Sequence, residues 1–200
     1  MATLQDSFTT ASPDYQRQIY GVNNYAGQGF IPTEDYHITK VRLFAYKTGT
    51  PGTITVTIEG LSGGLPSGVA LATGTINGTT LTSDTAGGWV EISLGAGADL
   101  TSGTTYVIVV KNSDTSSGNA IWWRALLAGG YTGPAYNWNG TWNDFGARDF
   151  LFETYDNIDA FDEGTKNVDG VATVALTVEE QTDKSVFSKT GWGWNMSMGI

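Results

Sequence analysis

Four groups of residues in this chain are of types that do chemistry, and each has a plainer use to be weighed against it. GLSGG (Gly60–Gly64) matches G-x-S-x-G, the pattern in which a strained strand-to-helix turn lifts out a nucleophilic serine. Here LPSG follows, which starts no helix, and the only histidine, His37, precedes Ser62 where the hydrolase order puts it after. The motif therefore reads as a glycine-rich loop. His37 alone builds no metal centre, since structural zinc takes four ligands, mostly nitrogen or sulfur, and the chain has no cysteine. It is expected at the solvated end of the first strong strand. Asp156, Asp159, Asp162 and Glu163 offer oxygens to calcium without the EF-hand spacing. A charge run of this kind is more often a solvated linker. No cofactor or metal ligand is assigned, calcium being the one ion left open. Glycosidase chemistry needs two carboxyls at a set separation; among 20 acidic residues some pair is inevitable, so none is informative. No enzyme is expected.

The fourth group is aromatic. Tyr131, Tyr136, Trp138 and Trp142 fall in a stretch rich in glycine and asparagine, with Asn137, Asn139 and Asn143 among them. The apolar face of a sugar ring stacks on an indole, and amides satisfy its hydroxyls, so this is the composition of a glycan site. The plainer use is to pin a long loop onto the body of the fold. Trp192 and Trp194 are two apart and share a strand face. With Val174, Leu176 and Val178 they are the candidates for an interface, where tryptophan is enriched.

The elements that must position these residues are strands. Ile54, Val56 and Ile58 alternate with Thr53, Thr55, Thr57 and Glu59, and Thr39, Val41, Leu43 and Ala45 alternate with Lys40, Arg42 and Tyr46. A two-residue period marks a strand with one buried face. KTGTPGT (Lys47–Thr53) lies between, and the pair reads as a hairpin. Asn23–Phe30, Gly60–Gly68 and Gly95–Gly103 read as loops, and Asn77-Gly78 and Asn139-Gly140 as two-residue hairpin turns. Tyr106–Val110 is apolar on both faces, as a central covered strand would be. Short strands are expected on either side of Pro13, and Gln18–Val22 is the candidate for a first strand that pairs near the last of the fold. No segment keeps a 3.6-residue period. The reading is all-β, an antiparallel sandwich over 1–155, followed by an acidic linker and a β-rich extension over 156–200.

GTPGTITVTI, LPSGVALATGTI, GGWVEISL and TSGTTYVIVV, closing with WWRA and DFLFETY, are similar to a jelly-roll module recurring in bacteriophage and prophage structural proteins. The resemblance implies a jelly-roll topology and a non-enzymatic virion role, as capsid decoration, head fibre or tail component. Its partners would be other virion proteins or further copies of the chain, a trimer by family analogy, and a host surface glycan for some members. The alternative is a carbohydrate-binding module using Trp138 and Trp142.

The bulk numbers narrow the classes. A net charge of −10 repels phosphate backbones and disfavours nucleic-acid partners. MATLQDSFTT has no basic n-region or apolar core of a signal peptide, and no run reaches the ~20 apolar residues of a spanning helix. A virion protein assembled in the host cytoplasm needs neither.

Overall fold

The computed structural model describes residues 2–157; the acidic linker beyond Asn157 and the interface candidates Val174, Leu176, Val178, Trp192 and Trp194 lie outside the described residues. Thirteen strands follow in order: β1 (Ala2–Phe8), β2 (Tyr15–Ile19), β3 (Tyr25–Phe30), β4 (Tyr36–Thr48), β5 (Thr53–Ser62), β6 (Leu65–Asn77), β7 (Gly88–Leu100), β8 (Tyr106–Asn112), β9 (Ala120–Leu126), β10 (Ala135–Trp138), β11 (Trp142–Asp144), β12 (Asp149–Phe150) and β13 (Phe152–Asn157). The described residues contain one 3-10 turn, Gly78–Thr80, and no α-helix.

Among the described residues all pairings are antiparallel and fall into two sheets. In sheet A, β4 is central: β7 runs along one edge, and β13 and then β9 share the other. β1 adds to β13 and β2 to β9. Sheet B has the order β11-β10-β3-β8-β5-β6. The inward residues of both sheets make one core, with Ile38, Val41 and Leu43 from sheet A meeting Ile54, Val56, Ile58, Ile108 and Val110 from sheet B. Trp123, fully buried, stacks on Phe150 at 4.5 Å and donates its indole N–H to the Leu151 carbonyl, so its polar tip is satisfied inside the core. The two sheets touch along one side where β6 passes β7. There a Cβ on Gly74 would run into the Ser93 carbonyl oxygen, so only glycine fits.

Several connections differ from their sequence reading for definable reasons. β4 and β5 do not pair: the Lys47–Thr53 turn carries the chain from sheet A to sheet B, where β5 takes β6 and β8 as neighbours. Alternation fixes which residues point inward, but not which sheet the strand joins. Thr39 does not share a face with Val41, because a bulge between Ile38 and Lys40 shifts the phase and brings Ile38 inward instead. The true hairpin is β5–β6, closed by Gly63 and Gly64 at φ +60° and +83°, the positive values a tight two-residue turn requires. GLSGG is thus a strand-to-strand turn with Ser62 exposed. Asn77-Gly78 turns no hairpin; the Asn77 side chain caps the 3-10 turn by accepting from the Thr79 N–H, and the chain crosses to sheet A. Gly95–Gly103, read as loop, is strand as far as Leu100.

Other expectations are met in whole or in part. Short strands β1 and β2 flank Pro13; the partner of the last strand, however, is β1, with Ala2 opposite Asn157, whereas Gln18–Val22 is strand only to Ile19 and its strand, β2, pairs with β9. Asp156 and Asn157, placed in the linker by composition, continue β13. β8 sits between β3 and β5 with Val107, Ile108, Val109 and Val110 all fully buried.

Candidate functional site

The outward face of sheet B is organised by β3, the strand that NNYAGQGF conceals. Ala26, Gln28 and Phe30 point inward, opposite Val110, Ile108 and Tyr106. Tyr25, Gly27 and Gly29 therefore point outward. Gln28 is fully buried yet satisfied: its amide donates to the Gly29 and Gly133 carbonyls, and its oxygen accepts from the Phe150 N–H. The glycines are needed because other chain lies on them. A Cβ at Gly27 would come 2.9 Å from a Val107 methyl, and one at Gly29 2.7 Å from the Pro134 ring.

Register then lines up a row across the sheet. Thr55 pairs with Lys111, Tyr25 with Trp138, and Trp138 with Trp142. Since Ala26 pairs with Val110, Tyr25 falls beside Lys111, whose ammonium lies 5.4 Å from the phenol ring centre. Tyr25 and Trp138 are near-parallel at 6.2 Å, and Trp142 stands edge-on to Trp138 at 5.4 Å. Asn139-Gly140 sets this last contact by closing the β10–β11 hairpin, although with Thr141 in a three-residue loop and not the two-residue turn its sequence predicts. The Trp138 indole N–H donates to the Val22 carbonyl, fixing the ring to the loop before β3.

One row along, Tyr136 pairs with Gly27 and lies over the outer face. It is 3% exposed, covers Val107 and Val109, and donates its hydroxyl to the Gly64 carbonyl at the tip of the β5–β6 hairpin. Burial, with the Asp144 charge beyond it, pushes the Tyr136 phenol above its ordinary value, which keeps it a donor. Leu65 packs on the same cluster. The hairpin end is thereby drawn over the sheet and becomes a wall.

Glu59 holds that wall from below. Its side chain is 1% exposed; one oxygen accepts from the Thr57 hydroxyl at 2.9 Å and the other from the Gly68 N–H at 2.8 Å. The Lys111 ammonium lies 3.8 Å away. Between wall and row is an open cleft of about 330 Å³ lined by Tyr25, Glu59, Pro66, Ser67, Gly68, Lys111, Trp138 and Trp142. That volume is at the lower end of ligand-holding clefts, about 300–1,000 Å³.

Of the four aromatic residues singled out from sequence, Trp138 and Trp142 line the cleft and Tyr136 is a buried support beneath it. Tyr131 sits apart. Its ring packs on Phe8 and Phe152 at 5.5 and 5.4 Å, and its hydroxyl donates to Asp6. Burial raises both the Tyr131 phenol and the Asp6 carboxyl. Its own amide and those of Gly129 and Gly130 turn onto Asp149, whose carboxyl is raised by burial against these opposing hydrogen bonds. Tyr131 pins a loop, the plainer use. Sequence reasoning missed Tyr25, Glu59, Lys111 and Pro66–Gly68. Only Tyr25 had a signal, alternation in β3 broken by glycines that carry no hydropathy.

His37 lies on the other sheet, in β4. One ring nitrogen meets Asp99 at 2.6 Å and the other the Ala96 carbonyl at 2.8 Å; these two bonds raise its pKa above the ordinary imidazole value. Among the described residues no three histidine or acidic side chains gather in a metal-binding group. The chain matches no family model, and no curated protein and no solved structure is significantly similar to it.

Proposed function

We propose that this chain is a non-enzymatic recognition module of jelly-roll topology whose cleft on sheet B takes one or two pyranose rings of a cell-surface or environmental glycan. The observation that carries the reading is the row Lys111–Tyr25–Trp138–Trp142 facing a wall built from Pro66–Gly68. Pyranoses present an apolar face of C–H groups and an equatorial belt of hydroxyls. The half-buried indoles suit the first; the Lys111 ammonium, the Ser67 hydroxyl and the loop backbone suit the second.

The test is a glycan array followed by calorimetry on the full chain. Trp142→Ala is expected to weaken any captured glycan by more than about tenfold, the scale of losing one aromatic anchor. Trp89→Ala, on the outer face of sheet A, serves as control and leaves affinity unchanged. Binding that survives Trp142→Ala, or no glycan bound at all, would sink the reading.

A second reading, display on a virion as capsid decoration, head fibre or tail component, rests on the motifs quoted above. It is favoured by the pairing of Ala2 with Asn157, which brings both ends of the described segment to one edge of sheet A while the cleft opens on sheet B. A module held along that edge keeps its cleft free. Light scattering on the full chain, with a label for it on source particles, tests this independently of the glycan array.

A further inference from the structure

The charges around the cleft bear on which sugars it can take. Lys111 is the only cation among the lining residues, and alone it would advertise for a carboxylate or sulfate. It is not alone. The Glu59 carboxylate lies 3.8 Å from its ammonium, 1% exposed and on the floor of the same cleft. Glu59 cannot be moved aside by an incoming anion, because both its oxygens are committed, one to Thr57 and one to the Gly68 amide that forms the wall. The ammonium therefore faces an acidic ligand already compensated, with the Tyr25 ring 5.4 Å away on another side. A third charge lies beyond Tyr136 on the same sheet: Asp144, exposed, is its cross-strand neighbour and close enough to raise its phenol. The three sum to one negative charge, set on a chain of net −10. An anionic sugar would meet repulsion from the local group and from the field of the whole molecule. An uncharged ring loses nothing here, because stacking and hydroxyl hydrogen bonds are indifferent to that field.

Resting on the glycan reading above, we infer that the cleft discriminates by charge: it accepts uncharged hexose or N-acetylhexosamine rings and rejects those bearing a carboxylate or sulfate, with Glu59 as the specificity-determining residue. Glu59 acts by cancelling Lys111 and not by touching the sugar.

The experiment compares matched oligomers on one array: neutral hexose, N-acetylhexosamine, hexuronate and sulfated hexose, with affinities of captured members measured at low and high salt. Wild-type protein is expected to bind the uncharged members about fivefold more tightly than their acidic counterparts, the upper scale of one partly exposed charge contact. Affinity for uncharged members should not move with salt, whereas residual binding of acidic members should strengthen as salt screens the repulsion. Glu59→Gln keeps one oxygen for the Gly68 amide and leaves Lys111 uncompensated. It should narrow or reverse the preference, raising hexuronate affinity about fivefold by the same scale. Acidic oligomers bound as tightly as neutral ones by wild-type protein would overturn the inference while leaving the glycan reading intact. An unchanged preference in a folded Glu59→Gln would also overturn it. If that variant does not fold, the wild-type salt dependence decides alone: hexuronate binding that weakens with salt would mean attraction and refute the claim. Capture of no oligomer of any class would instead remove the glycan reading itself.

Discussion

On the outer face of sheet A, Phe44 packs on Trp89 at 5.2 Å, and the Arg42 guanidinium stands 5.2 Å over the same indole. Arg42 also donates to Glu153 at 2.6 Å and to the Tyr155 hydroxyl at 3.2 Å, and Tyr46 stacks flat on Trp122 at 5.9 Å. On the outer face of sheet B the inventory is nearly the same: two indoles, a tyrosine, a cation and a carboxylate. Yet sheet A offers aromatics that satisfy one another side by side, whereas sheet B offers a cleft. What separates them is glycine. Sheet A has a side chain at each outward position of its central strand from Arg42 to Tyr46, so the layer fills and levels itself. Sheet B has Gly27 and Gly29 at the centre of β3. The space they leave admits Tyr136 and Pro134, and Tyr136 in turn anchors the β5–β6 hairpin above the sheet. Concavity here comes from leaving side chains off β3 so that a neighbour can be pulled across the sheet.

The strongest way to break this contrast is to fill the space the β3 glycines leave. In Gly29→Val the new side chain would meet the Pro134 ring at 2.7 Å and its carbonyl oxygen at 2.9 Å, backbone that cannot yield without moving β10. We expect a loss of about 3 kcal/mol in chemical denaturation, the upper range for overpacking a filled site, together with loss of any cleft ligand. Unchanged stability would mean that the β3–β10 approach is looser than the contacts imply.

A gentler cut removes the strap alone. Tyr136→Phe deletes the hydroxyl that reaches the Gly64 carbonyl, leaving the ring over Val107 and Val109. The expected cost is about 1 kcal/mol, typical of one hydrogen bond, with ligand affinity falling as the hairpin wall loosens. Faster amide exchange at Gly64 and Leu65, with β8 unaffected, would locate the change. The counterpart on sheet A is Arg42→Met, which keeps an apolar stem over Trp89 while losing a partly buried pair with Glu153. Such pairs contribute from nothing to about 1 kcal/mol, and cleft affinity should stay as in the native chain. If Arg42→Met weakened a cleft ligand, the two faces would not be independent.

Much of this architecture was open to a reader of the sequence. Wherever strands carry branched apolar residues at every second position, as in Ile54–Ile58 and Val90–Leu94, the buried face follows directly. Trp122 and Trp123 were bound to part, and they do. What alternation could not convey was partner choice, since β4 and β5 obey the same pattern whether they pair or face each other across the core. Nor could it convey the cleft. Its polar floor comes from β5 and β8, its wall from a hairpin read as loop, and its central strand from residues whose missing side chains are the point. Trp138 and Trp142 were visible because composition marks a tryptophan-rich hairpin. Tyr25, about 110 residues earlier, reaches them only through the β3–β10 register. Tyr131 shared their composition but was claimed by Phe8, Phe152 and Asp6, a contact set no local pattern displays.

Protonation gives the subtlest separation of the two sheets. His37 is the only histidine and lies on sheet A, tying β4 to the part of β7 that departs from regular register, through Asp99 and the Ala96 carbonyl. These bonds raise its folded-state pKa above the unfolded value of about 6.5. A raised pKa means that the folded chain binds this proton more tightly. The stabilisation is therefore complete below the unfolded pKa and disappears as pH climbs through the folded one. Because the side chain is 43% exposed, the effect is small and screened by salt. Thermal midpoints measured from mildly acidic to mildly basic pH should fall slightly through that window in the native chain and stay flatter in His37→Gln. Cleft affinity should be level across the same window, as the lining residues include no histidine. A ligand whose affinity followed the His37 titration would show that the registers of β4 and β7 are felt across the core, and that the two faces communicate.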